Sequence, residues 1–184
     1  WKLELRNVMT IILCGLPTSG KSSLGKALAK FLNLPFYDLD DLIVSNYSSA
    51  LYSSSAEIYK AYGDQKFSEC EARILETLPP EDALISLGGG TLMYEASYRA
   101  IQTRGALVFL SVELPLIYER LEKRGLPERL KEAMKTKPLS EILTERIDRM
   151  KEIADYIFPV DHVDHSSKSS LEQASQDLIT LLKS

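Results

Sequence analysis

The chain has only two cysteines and two histidines among its 184 residues, and none of them stands at a metal-ligand spacing. Cys14 ends an apolar run and Cys70 lies in a helical pattern, which excludes a disulfide framework and fits a reducing, cytoplasmic setting. His162 and His165 have no nucleophile partner nearby in the sequence, so neither is read as a catalytic base or a zinc ligand. No apolar run reaches the roughly 18 residues that a membrane span requires, and residues 1–7 lack the apolar core of a signal peptide. Positive charge is not in surplus either. A formal net charge of -4 argues against broad nucleic-acid binding and leaves any basic site to be local.

What is present is ordinary for one folded domain: 45% apolar and 26% charged residues, with no internal repeat. A chain of this length holds a real core and a small appended lid. The most informative stretch is Gly15-Leu16-Pro17-Thr18-Ser19-Gly20-Lys21-Ser22, followed by Ser23. It lies between the apolar run at 8–14 and a helical pattern, and it satisfies the G-x-x-x-x-G-K-[ST] spacing together with its strand and helix flanks. Glycines let backbone N–H groups converge on phosphate oxygens, and the following helix turns its unsatisfied N–H groups and dipole toward them. In such a loop Lys21 reaches the β and γ phosphates, and the Ser22 hydroxyl holds Mg2+. The loop predicts a nucleotide donor but does not name the acceptor.

Beyond the loop, Leu24, Ala27, Leu28, Phe31 and Leu32 recur at helical spacing, and Asn33 and Pro35 end the helix. Residues 36–39 form a short strand. If it extends that far, its two-residue period puts Asp38 and Asp40 on one side, and Asp41 can cap the next helix. Two carboxylates on one side invite a divalent-cation or base role. Ser54-Ser55-Ala56-Glu57 has capping-box spacing for a helix ending at Gly63, and Phe67, Cys70, Ile74, Leu75 and Leu78 mark a second helical face. This excursion is long enough to build a binding subdomain.

Residues 83–87 read as a strand running into Gly88, Gly89 and Gly90, which expose bare backbone where open α/β sheets bind ligands. A helix over 93–103 closed by Gly105, a strand at 106–110 and a helix with Pro115 in its first turn follow. Around Arg129, Lys131, Lys135 and Lys137, residues 125–137 form a basic segment suited to closing over a triphosphate and excluding water. A solvated charge run is the plainer reading of the same residues. The next helix carries Arg146 near its outer rows, where it can pair with an anionic acceptor; Glu71 supports the site or reaches solvent. Residues 156–160 give a fifth strand, and Ser169 or Ser170 caps a terminal helix.

Taken together, the phosphate loop, Asp38-Leu39-Asp40, Gly63-Asp64-Gln65-Lys66-Phe67 with Glu71, Ser86-Leu87-Gly88-Gly89-Gly90, Arg129, and Arg146 with Ala154-Asp155 resemble the shikimate kinase family over residues 8–182. The loop alone is shared by many nucleotide-binding proteins; its combination with D-x-D and the triple glycine is far more specific. The resemblance implies a three-layer α/β P-loop kinase fold, with helices on both faces of a five-stranded parallel sheet of order 2-3-1-4-5. It implies a single kinase domain over 1–184, with a shikimate-binding helical subdomain at 41–78 and a mobile lid at 125–137.

The implied reaction, in the chorismate pathway to aromatic amino acids, moves the ATP γ-phosphoryl group to the 3-hydroxyl of shikimate. The resemblance makes Asp40, Lys21 and Arg129 catalytic. Gly15, Pro17, Thr18, Ser19, Gly20, Lys21, Ser22, Ser23, Arg120 and Arg129 would hold ATP, with Arg120 beside the adenine. Ser22 and Asp38 would arrange Mg2+; Asp40, Glu71, Gly88, Gly89, Gly90 and Arg146 would bind shikimate. A cytoplasmic monomer without nucleic-acid or membrane partners is expected. Ser68 departs from the pattern, standing where the family has a second carboxylate-binding arginine, and Arg73, Lys66 and Lys60 are candidates to compensate. Leu130 follows Arg129 where proline is usual, Asp64 replaces glutamate, and Met150 replaces a tyrosine. A gluconate or nucleotide kinase, or a regulatory nucleotide-binding module, is the alternative reading.

Overall fold

The computed structural model describes residues 10–47 and 51–183. Residues 8 and 9 of the expected first strand, and the leading segment 1–7, lie outside the described residues. A buried strand, β1 (Thr10–Cys14), runs into the phosphate loop and helix α1 (Lys21–Leu32). After β2 (Phe36–Asp38) come α2 (Leu39–Asn46) and the long α3 (Ser55–Thr77). Then β3 (Leu84–Ser86) leads through a 3-10 turn to α4 (Glu95–Ile101). The chain continues with β4 (Gly105–Ser111), α5 (Leu114–Arg124), α6 (Glu128–Ala133), α7 (Leu139–Ile153), β5 (Tyr156–Pro159) and α8 (Lys168–Leu182).

All four strand pairings are parallel, and the order is β2-β3-β1-β4-β5, as expected. The central strand carries the phosphate loop because β1 is flanked on both edges, pairing Ile12 with Ile85 on one side and Leu107 on the other. Its residues Ile11, Ile12, Leu13 and Cys14 are buried with Leu24 and Leu28 of α1 and Val108 and Phe109 of β4. Helices cover both faces, giving three layers around one core. The carboxyl ends of β1, β2 and β3 therefore open on the same edge of the sheet, where doubly wound folds place ligands.

Several local expectations change in the folded chain. β2 stops at Asp38, whose side chain caps α2 by accepting from the Asp40 N–H at 3.1 Å; Asp41 lies in the first turn and is not the cap. Asp38 and Asp40 come together through a strand-to-helix turn rather than through strand alternation. Gly63, with φ 75° and ψ 174°, leaves the helical conformation and divides α3 into two helices across a kink, as expected of a stop there. Gly105 opens β4, where a Cβ would collide with the Thr10 carbonyl of β1. Ser54 caps α3 as expected, accepting from the Glu57 N–H, whereas the cap of α8 is Ser167. Phe31, assigned to the buried face of α1, is 45% exposed. Residues 125–137 are not irregular throughout: they contain α6, and its Leu130 is fully buried.

Candidate active site

The phosphate loop closes on itself through ordinary backbone chemistry. Gly20 has φ 88°, a left-handed conformation that frees its N–H while its carbonyl accepts the first bond of α1, from Leu24, at 3.0 Å. A Cβ there would also land on the His165 imidazole, so the segment before α8 packs directly on the loop. Lys21 is 8% exposed, and its Nζ donates to the carbonyls of Gly15 at 3.1 Å and Leu16 at 2.9 Å. Burial draws the ammonium down to about 8, although Asp40, Cys14 and Asp38 favour its charge. Burial pushes the Cys14 thiol, under the loop, up to about 12, so it stays protonated. From α5, Arg120 donates to the Thr18 carbonyl at 3.0 Å and is one of two arginines, with Arg124, whose charges hold His165 below its usual range after burial has lowered it.

Ser22 and Asp38 meet at the opening of α1, where the hydroxyl donates to the carboxylate at 2.5 Å. One hydroxyl and one carboxylate are hard oxygen donors of the kind Mg2+ takes, with its other positions filled by water and phosphate. No group of three or more histidine, cysteine or acidic side chains suited to a metal occurs among the described residues. Asp40, in the first turn of α2, is exposed at the cleft, yet the protein atoms crowding its carboxyl raise its pKa, with Asp38 adding to the effect. A Ser55 hydrogen bond and Lys21 oppose that rise.

Across from the loop, the glycine turn after β3 lies against the other elements at close range. A Cβ on Gly89 would stand 2.6 Å from Pro17 Cδ, and one on Gly90 would stand 3.1 Å from Arg129 Cδ and 3.2 Å from an Arg146 Nη2. Arg146 is 6% exposed rather than on an outer row of α7, and it donates to the Gly89 carbonyl at 3.2 Å. Burial first, then the neighbouring Arg129 charge, bring its guanidinium down to about 10. Met150, one turn further along α7, is buried as well.

Arg129 projects from α6 into α3. Its Nε donates to Asp64 at 2.9 Å, one Nη to Glu71 at 2.8 Å and the other to the Ser68 hydroxyl at 2.6 Å. The guanidinium carbon lies 4.7 Å from the Tyr94 ring centre and 5.5 Å from that of Phe67. Glu71 is 1% exposed and also accepts from the Thr91 hydroxyl at 2.5 Å; burial raises its carboxyl while Arg129 and Thr91 work against that shift. Asp64 accepts from the Tyr94 hydroxyl too. Thr91 and Tyr94 were not singled out from the sequence, and Asp64 and Ser68 were named only as departures from the family pattern. Their part in seating Arg129 was legible in principle, because 64, 68 and 71 share one helical face.

These groups line one cavity of about 520 Å³ that runs from Pro17, Lys21 and Ser22 past Asp38 and Asp40 to Gly88, Gly90, Arg129 and Arg146. Lys60, Lys66 and Arg73 do not line it, and Lys60 is instead paired with Glu128 of α6 at 3.4 Å. A phosphate loop on the central strand, a paired hydroxyl and carboxylate, and a buried arginine in the same cavity fit a P-loop phosphotransferase. A family model described as shikimate kinase matches residues 17–182. A shikimate kinase of Chlamydia muridarum is 36% identical over 150 residues, covering 80% of this chain and 78% of that protein. The shikimate kinase structure from Bacteroides thetaiotaomicron superposes with a TM-score of 0.70 at 27% identity, covering 96% of this chain and 99% of that one. The Acinetobacter baumannii enzyme, solved in complex with shikimate, shares the fold with a TM-score of 0.78 at 21% identity, over 99% of this chain and 97% of that one. The chain belongs to the shikimate kinase family. It is accordingly an ATP-dependent phosphotransferase of the P-loop kinase fold. No helix among the described residues is long and apolar enough to cross a membrane.

Proposed function

We propose that this protein transfers the γ-phosphoryl group of ATP to the 3-hydroxyl of shikimate, giving shikimate 3-phosphate and ADP. The observation that carries this reading is the single cavity in which the phosphate loop, Asp40, the glycine turn and Arg146 all face one space. In-line transfer requires the terminal phosphorus and the attacking hydroxyl to share such a space, and positioning with charge compensation supplies most of the rate.

On the donor side, the loop N–H groups and Lys21 Nζ cradle the phosphates, the latter leaving the Gly15 and Leu16 carbonyls to which it now donates. Gly15, Pro17, Thr18, Ser19, Gly20 and Ser23 complete that cradle, and Arg120, tied to the Thr18 carbonyl, flanks the base. Ser22 and Asp38 would hold Mg2+, whose charge offsets that of the β and γ oxygens when bound. On the acceptor side, Asp40 accepts the proton of the attacking hydroxyl. Its raised pKa makes it a better base than an ordinary aspartate. Gly88, Gly89 and Gly90 let the sugar-like ring approach bare backbone, and Arg146 pairs with the carboxylate. Glu71 keeps Arg129 in the cavity wall.

Residues 41–78 serve as the acceptor-binding subdomain and 125–137 as the lid, anchored to the body through Leu130. The protein is read as acting as a monomer, and the two cysteines are free and buried, which suits the cytoplasm. A coupled ADP-release assay comparing shikimate, gluconate and nucleoside monophosphates tests the reading. ADP release that depends on shikimate is expected; turnover without it, or a preference for another acceptor, defeats the assignment.

A further inference from the structure

The acceptor half of the cavity contains two guanidinium groups rather than one. Arg146 arrives from α7 and Arg129 from α6, and the two side chains converge on the same point above Gly90. Like charges so close are unfavourable unless something holds them there, and the holding groups are visible. Arg129 is seated by two carboxylates and a hydroxyl of α3, and the seat itself is rigid: Ser68 Oγ donates to the Asp64 carbonyl at 2.7 Å while accepting from Arg129. Those contacts use three of the five guanidinium N–H groups and leave one on each terminal nitrogen. Both arginines line the same cavity, and an anion with two oxygens is a ligand that two guanidinium groups recognise together.

We propose that Arg129 is the second arm of the acceptor-carboxylate site, so that the lid helix and α7 grip the acceptor's carboxylate between them. Ser68 is small because the guanidinium from α6 occupies the space that a long side chain at position 68 would need. Arg129 is thereby a specificity-determining residue of the acceptor, presented from a lid helix that its contacts already hold against α3. The proposal rests on the reading of the acceptor as shikimate.

The test uses the full chain, with shikimate and ATP titrated separately by calorimetry, and steady-state kinetics on four variants. Arg129→Ala should weaken shikimate binding in the absence of nucleotide by tenfold or more, while ATP affinity in the absence of acceptor changes less than threefold. Arg129→Lys, which keeps charge but not the planar fork, should weaken shikimate binding severalfold. Ser68→Arg alone should bind shikimate more weakly than the wild type, through crowding against Arg129. In the double variant S68R/R129A it should recover at least half of the lost binding free energy, since the second arm is then supplied from α3. Unchanged shikimate affinity in R129A with loss of ATP affinity or of kcat alone would overturn the proposal, as would a double variant no better than R129A. Thermal melts of each variant identify any that do not fold, and R129K, the mildest change, then carries the comparison. Wild-type protein that neither binds nor phosphorylates shikimate would remove the functional reading itself, a result separable from all of these.

Discussion

The donor half of the cavity comes from consecutive residues, 15–22, and acts chiefly through backbone N–H groups held by one strand and one helix. The half proposed to hold the acceptor draws on α2, α3, the glycine turn, α6 and α7, and presents side chains as well as bare backbone. Phosphate is the same in every nucleotide, so a rigid peptide cradle suffices for it. A polyhydroxylated carboxylate requires charges placed from several directions, and each can be replaced or relocated independently. The loop meanwhile keeps its full spacing.

The sharpest test of that contrast sets one catalytic side chain from each half against the other. Asp40→Asn should lower kcat by about 10²–10⁴ with ATP affinity little changed. Lys21→Met should lower it by about 10²–10³ and weaken ATP as well, without altering shikimate binding measured alone. Equal losses of both affinities in either variant would show that the halves are not separable.

A smaller effect is expected where the two halves touch. Gly89→Ala places a methyl group against the Pro17 ring and backbone, and should destabilise the fold by about 1–3 kcal/mol in a denaturant titration, with turnover reduced because the turn is pushed from the loop. A wild-type melting curve for this variant would mean that the contact yields freely.

Protonation distinguishes the halves as well. Lys21 in the unliganded protein titrates at about 8, far below a free lysine, and phosphate favours its charged form. ATP binding should therefore take up a proton and weaken as pH rises above about 8, by at most tenfold per unit, whereas shikimate affinity measured alone should not follow that curve. The smallest effect is assigned to Lys60→Ala. Its pairing with Glu128 of α6 is exposed on the lysine side, and loss of it should cost less than about 1 kcal/mol by thermal melt and leave shikimate affinity unchanged.

How far the sequence could be read follows the same division. The β1 strand, its loop and α1 were legible because hydrophobic pattern, glycine spacing and helix start coincide within consecutive residues. The sheet order rested on family likeness and matches the structure. Arg146 looked peripheral because its helix position is polar by pattern; only the packing of α7 against the glycine turn buries it. The partnership of Arg129 with Glu71 spans 58 positions, and no local period reveals a contact between α6 and α3. Asp38 and Asp40 were paired correctly for a reason that does not hold, since a helix cap and not a continuing strand brings them together. Gly63 and Gly105 were both read as helix stops; Gly63 does break the helical path of α3, whereas Gly105 serves a close strand approach, because glycine marks several kinds of irregularity alike.

The abutment of Pro17 on Gly89 bears on inhibitor design. With no side chain between the nucleotide cradle and the acceptor turn, a bisubstrate compound joining a phosphate mimic to a cyclic hydroxy acid needs only a short, stiff tether. Long flexible tethers would have to fold back on themselves, surrendering through lost conformational freedom what the second warhead gains.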